Sequence, residues 1–435
     1  MDKAPQRALG PRLERLKSSR LVRQNLVLFA GGLVAGVGGF VYHAIAGRVL
    51  GPNLYGDVAS IIAVYAVFTT PTLILVLVLA RYSATLVASG TTDAVRYLVV
   101  RTTQITLLPS VLIILAGFLL AGPVAGFLHL HSPWPVVWLG LGVAVFWQVG
   151  IPRGVLQGIQ YFSGLSANLA LELVVRCSAL GILLAAGTGV VGATIAVLAG
   201  VAFAYLIGIY AIRDHLRAPG GRQRLRSMVG FSLTASAGTL GILLLYNLDV
   251  ILAKHYLGSH DAGIYGALNK IGTILYFLTL SVSQVLFPRV VEALANNDHP
   301  GRLLGVSAGI MGLLGAMALV VFGAVPGLIV RVLFGGAFSD AQHYIFLVGV
   351  IGLALSLNNL LVQFCMAARD AWFIPLLAAG VLMLTESIVY HHGGVGDIVI
   401  DVLGTMLALL AVLTIRLLLL LPKLRPLVEE PLVTA

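Results

Sequence analysis

Long apolar runs separated by short polar breaks recur along the whole chain, at lengths that predict membrane-spanning helices. A span needs about 20 apolar residues, and runs of that size lie near 24 to 46, 57 to 80, 98 to 121, 134 to 152, 165 to 187 and 190 to 212. The pattern then breaks into "RDHLRAPGGRQRLR", 213 to 226, a basic stretch carrying Pro219, Gly220 and Gly221. A second series follows near 228 to 252, 262 to 286, 303 to 325, 343 to 367, 372 to 390 and 397 to 421. The expectation is an all-α integral membrane protein of about twelve helices in two lobes of six. Its parts are a basic cytoplasmic segment (1–23), an N-terminal lobe (24–212), a basic cytoplasmic linker (213–227), a C-terminal lobe (228–421) and a cytoplasmic tail (422–435). No stretch is left over for a soluble domain.

Composition agrees: 59% of residues are hydrophobic and 10% charged, where soluble proteins average about 25% charged. A net charge of +10 would suggest a nucleic-acid partner in a soluble chain. Here it is better explained by cytoplasmic loops rich in Lys and Arg, so no nucleic acid is expected. With the N-terminus inside, twenty of the 27 basic residues fall on the cytoplasmic side, three outside (Arg48, Lys254, Arg331) and four within spans. Both termini are therefore expected to be cytoplasmic, with the linker held against membrane lipids. Cys177 and Cys365 lie far apart inside apolar runs and read as packing residues, not as a disulfide. "HHGGVGD", 391 to 397, is a poor metal site because it lacks a nearby fourth ligand.

The two halves carry a trace of repetition. At an offset of 207 residues Ala46, Leu50, Gly51 and Gly56 fall on Ala253, Leu257, Gly258 and Gly263, in the outer loop after the first helix of each half. Gly51-Pro52 and Gly258 suit tight reversals, and Tyr55 and Tyr265 suit the membrane interface.

These segments resemble those of the polysaccharide-transport flippases of the multidrug, oligosaccharidyl-lipid and polysaccharide exporter superfamily. "AGRVLGPNLYGDVASI" is similar to an Arg-x-Leu-Gly-Pro-x-x-Tyr-Gly pattern at Arg48, Leu50, Gly51, Pro52, Tyr55 and Gly56. "RGVLQGIQYF" (153 to 162), the run from Asn247 to Val290 with Asp249, Gly263, Lys270 and Pro288, and "LIVRVLFGGAFSDAQHYIFLVG" (328 to 349) extend the likeness over almost the whole chain. The resemblance implies a central cavity between the lobes, opening alternately to each side of the cytoplasmic (inner) membrane. It implies a polyprenyl-pyrophosphate-linked oligosaccharide as cargo, in cell-surface polysaccharide biosynthesis such as O-antigen or exopolysaccharide assembly, no cofactor, and glycosyltransferases or a polysaccharide polymerase as candidate protein partners.

A greasy polyprenyl tail can stay in the bilayer, while the anionic head needs a wet, cationic path. Arg176 is the deepest candidate, eleven residues into its span and so about 17 Å down at 1.5 Å per residue. Glu172, four residues earlier, shares its helical face and either pairs with it structurally or takes part in coupling. Lys270, eight residues into its span, and Asp249, at the outer end of the preceding one, are further cargo and coupling candidates; the two could pair. Arg48 stands at the outer opening, and Arg81, at the cytoplasmic end of its span, is either a plain positive-inside charge or a contact for the pyrophosphate at the inner opening. Arg101 and Arg416 read as snorkelling anchors.

Other functions fit less well. A cation-coupled multidrug exporter of the same fold predicts acidic residues lining the cavity, and the midplane offers Glu172 beside Arg176 and little more. A glycosyltransferase or polymerase would need a large loop bearing acidic or metal-binding residues. A symporter of the other large twelve-helix fold predicts a Gly- and Arg-rich signature that "RYSATLVASGTTDAVRY" lacks. No Gly-x-x-x-x-Gly-Lys-Ser/Thr loop is present for ATP.

Overall fold

The computed structural model describes residues 10–91, 94–217, 229–296 and 300–423, and its regular elements are all helical. Most of the basic linker, the tail after Lys423 and residues 1 to 9 lie outside the described residues.

The first half comprises α1 (Gly10–Thr69), α2 (Pro71–Ala88), α3 (Ala94–Leu119), the short α4 (Ala121–Phe127), α5 (Trp134–Gly158), α6 (Phe162–Ala185), α7 (Gly189–Ala211) and α8 (Arg213–Arg217). The second comprises α9 (Val229–Tyr256), α10 (Ser259–Ala295), α11 (Gly301–Ala324), the short α12 (Pro326–Leu333), a 3-10 turn at Gly336–Tyr344, α13 (Ile345–Ala367), α14 (Phe373–Tyr390) and α15 (Val395–Leu420). Among the described residues ten stretches are long and apolar enough to cross a membrane. One, Gly38–Ala88, runs from the end of the first expected span through the whole of the second, because α1 is two helices joined at Gly51. There φ is 68° and ψ 174°, a conformation open to glycine, and Pro52 restarts the helix at its first position.

A single shift of 207 residues aligns the halves. It carries Pro52 and Ala88 onto Ser259 and Ala295, the ends of α10, and Ala94 onto Gly301, the start of α11. The short helices α4 and α12 correspond as well. One difference is a break at Thr70 in the first half, where Pro71 cannot donate to the Val67 carbonyl; the Thr70 hydroxyl donates there at 2.8 Å, and the indole of Trp147 donates to the neighbouring Phe68 carbonyl at 2.9 Å.

Packing is mainly within each half: α5, α6 and α7 on one another with α2 and α3 against α5, then α13 against α10, α11 and α15, and α14 against α9. The halves meet along a seam of α1 with α9 and α10. At one end of it, hereafter the Gly51 end, the backbones nearly touch. A Cβ on Gly263 would fall 1.9 Å from the Pro52 carbonyl oxygen, and one on Gly56 would meet Gly263 backbone at 3.0 Å.

Candidate functional site

In the first half α5 and α6 bring together four polar side chains. Arg153 donates from Nε to Asn168 Oδ1 at 2.8 Å and from Nη2 to Glu172 Oε2. Arg176 donates from Nη2 to Glu172 Oε1. Asn168 in turn donates to the Ala204 carbonyl of α7 at 2.7 Å, which fixes the cluster against a third helix. The expected Arg176–Glu172 pair is present, but the carboxylate serves two guanidinium groups. One positive charge is left over, and Arg176 Nε, buried, has no hydrogen-bond partner. Arg153 is a correction: expected in a cytoplasmic loop just beyond a span ending at 152, it lies inside α5 and is 7% exposed.

In the second half the carboxylate of Asp249 is held by neutral donors. Oδ2 accepts from the Tyr265 hydroxyl at 2.6 Å and from Asn269 Nδ2 at 3.0 Å, and Oδ1 from the Val250 amide at 2.9 Å. Asn269 Oδ1 has no partner. Tyr246, Asp249, Asn269, Thr273 and Met406 line a cavity of about 30 Å³ beside it, room for one or two water-sized species. Lys270, on α10, does not pair with Asp249. Its ammonium lies 3.3 Å from the Tyr246 hydroxyl and 4.8 Å from that ring's centroid, and it enters no ion pair among the described residues.

A third set of charges lies at the Gly51 end. Lys254 of α9 reaches across the seam to Asp57 of α1, Nζ to Oδ1 at 2.8 Å, and both side chains are almost wholly buried. The other Asp57 oxygen meets His131 Nδ1 at 3.0 Å. Lys254 was expected to be a loop charge and is instead half of a dry ion pair between the halves. Arg48 donates from Nη2 to the carbonyls of Arg331 and Val332 at the end of α12. Tyr55 and Tyr265, expected at the lipid interface, are both buried, Tyr55 within 3.0 Å of His43 Nδ1 and Tyr265 on Asp249. Arg81 is exposed on α2 and enters none of these clusters. Arg416 donates twice to Asp370, at 2.8 and 3.0 Å, so it is an ion-paired residue at the end of α15 and not a free anchor.

The arrangement thus holds a buried lysine, Lys270, and a partly buried arginine, Arg176, with incomplete compensation, a carboxylate free of cationic partners, and a closure of polar and aromatic contacts where the halves touch. Such a fold is that of the transporters of the MOP superfamily. It superposes on the inward-facing conformation of a multidrug resistance MATE family transporter of that superfamily with a TM-score of 0.75 at 12% identity, covering 92% of this chain and 98% of that one. Against the outward-facing conformation of such a transporter the TM-score is 0.64 at 13% identity, covering 93% and 95%. Against the eukaryotic MATE transporter AtDTX14 it is 0.63 at 13%, covering 93% and 98%. A search of curated proteins finds no matching relative. The family model described as polysaccharide biosynthesis protein matches residues 21–294, and the chain belongs to that family.

Proposed function

We propose that the protein is a flippase that moves a polyprenyl-pyrophosphate-linked oligosaccharide across the cytoplasmic membrane by alternating access, without enzymatic chemistry, in cell-surface polysaccharide biosynthesis. The observation that carries this reading is the uncompensated positive charge: two arginines on Glu172, and Lys270 with a hydroxyl in place of a carboxylate. Buried cations are costly in a membrane protein unless paired or used. A passing pyrophosphate would supply the missing anion in transit. Tyr42, Tyr65 and Tyr246 near these charges suit sugar hydroxyls and rings. A path built for organic cations would carry the opposite sign.

In this scheme Arg176 and Lys270 are the inner stations for the head group, Arg81 receives it at the cytoplasmic opening, and Arg48 meets it outside once that end has opened. Asp249, with the Asn269 oxygen beside it, is the site for the coupling cation or proton. Glu172 sets how strongly Arg176 and Arg153 hold an anion, and so takes part in coupling. The lobes are 24–212 and 228–421, both termini and the basic linker lie in the cytoplasm, and the Gly51 end faces outward. Supporting this orientation is the excess of Lys and Arg on the other side. Glycosyltransferases or a polymerase that make and consume the cargo are the expected neighbours.

The test is reconstitution into liposomes with a fluorescent polyprenyl-pyrophosphate oligosaccharide, following its loss of accessibility to a membrane-impermeant quencher. Protein-dependent flipping supports the proposal. Efflux of organic cations with no flipping would make the protein a cation-coupled multidrug exporter instead.

A further inference from the structure

The 207-residue shift that superposes the halves carries Arg48 onto His255 and Phe127 onto Phe334. Arg48, at the end of the first helix of its half, gives its guanidinium to the last carbonyls of α12 in the other half. His255, at the end of α9, places Nδ1 2.7 Å from the carbonyl of Phe127, the last residue of α4 in the first half, and its ring stacks on Phe127 at 4.1 Å. Each half therefore sends one arm across the seam to the carboxyl end of the other half's short helix. Those carbonyls have no partner within their helices, and they favour a donor or a cation.

Between the two arms lies the Asp57–Lys254 pair, 1% and 2% exposed, over the close approach of Gly56, Gly263 and Pro52. The pair has no symmetric copy, since the shift places Ile264 opposite Asp57 and Gly47 opposite Lys254. Each of these contacts joins one half to the other, and beside them Phe334 and Phe338 of the second half pack edge-on against Tyr55 of α1.

We infer that Arg48, His255, Asp57 and Lys254 form a reciprocal clasp that holds the outer gate shut and must come apart once in each transport cycle. This rests on the alternating-access reading above, with the Gly51 end outward. The polar contacts suit a gate, because water replaces each of them when the gate opens; the aromatic packing of Phe334 and Phe338 on Tyr55 and Phe40 across the same seam adds an apolar layer whose exposure opposes opening. The ion pair adds a strict condition. Removing one partner leaves the other charged and buried in the closed state alone, so a single substitution disfavours closure; removing both does not.

Spin labels at Asn53 and Ser259, read by pulsed dipolar spectroscopy in lipid nanodiscs without cargo, report the gate directly. Lys254→Met should raise the long-distance population about tenfold, even though Asp57 keeps its contact with His131. Asp57→Asn with Lys254→Met should return the distances to the short, closed value. Arg48→Gln combined with His255→Ala should shift the population in the same direction as Lys254→Met and serves as the test should that variant fail to insert. Wild-type distances in a well-inserted Lys254→Met protein, or in the double arm variant where that protein does not insert, would overturn the clasp. Because no cargo is present, a protein that shows the shift yet flips no lipid-linked sugar would overturn the proposed cargo and leave the clasp standing.

Discussion

The ammonium of Lys270 rests on the hydroxyl and ring of Tyr246, not on the carboxylate of Asp249 one turn away across the same helix pair. Tyr265 and Asn269 already occupy the Asp249 oxygen that faces α10. A buried cation thus stands beside a buried carboxylate without joining it. Lys270→Met should therefore keep the fold and raise its stability by about 1 kcal/mol or more, since an uncompensated buried charge is removed. Flipping should fall at least about tenfold. Thermal unfolding in detergent and the quencher assay measure the two effects, and a variant with unchanged flipping would take Lys270 out of the cargo path.

The three-way cluster on α5 and α6 gives a different pattern. Glu172→Gln leaves Arg153 and Arg176 buried without an anion and should destabilise the protein by about 3–5 kcal/mol, seen as poor insertion or early unfolding. Arg176→Gln leaves a one-to-one Arg153–Glu172 pair, so the protein should fold well and lose transport. Combining Arg176→Gln with Glu172→Gln strands Arg153 and should not restore stability. Recovery of both stability and flipping in that double variant would make Arg153 dispensable and Arg176 merely structural.

Asp249→Asn should separate coupling from passage. The side chain keeps its shape and can still accept from Tyr265, but it no longer offers a charge to a cation in the adjoining cavity. Gradient-driven transport should be lost while equilibrium exchange of cargo across the membrane persists. Both rates falling together would mean that the residue serves the cargo or the fold.

Gly263→Ala tests the seam itself. The added methyl would fall 1.9 Å from the Pro52 carbonyl oxygen, and overpacking of this kind costs about 1–3 kcal/mol. Because the clash exists only while the Gly51 end is closed, labelling of a cysteine at Asn53 by an impermeant maleimide should quicken. Gly404→Ala, where the space around the new methyl is empty, should leave labelling unchanged. Equal labelling in both variants would mean that the backbones part from each other more easily than their contact suggests.

The helices were legible in the sequence because a bilayer sets their length and apolarity directly, and the repeat was legible at the glycines of the outer turns. The Arg176–Glu172 pair was legible too, being an i, i+4 contact within one helix. Arg153 was missed because α5 runs on to Gly158, past the point where its hydropathy falls off. Its partner is 19 residues away on the next helix, a contact that only tertiary packing makes. Lys254 reads as an outer-loop charge for the same reason, since hydropathy places a charge along the membrane normal but not toward lipid, water or another helix, and nothing in the pattern points to Asp57 as its partner. Running the 207-residue shift over polar positions as well as glycines would have paired Arg48 with His255.

That shift also exposes a division of labour between the halves. Where the first half has Arg153, Glu172 and Arg176, the second has Leu360, Ala379 and Met383, and where the second has Asp249 the first has Tyr42. One repeated helical frame thus carries a cluster of three charges in the first half and, in the second, a carboxylate held by neutral donors with an unpaired lysine near it. Most of the contact between the halves runs through α1, which packs on both α9 and α10, so a change in one half reaches the other chiefly along that helix.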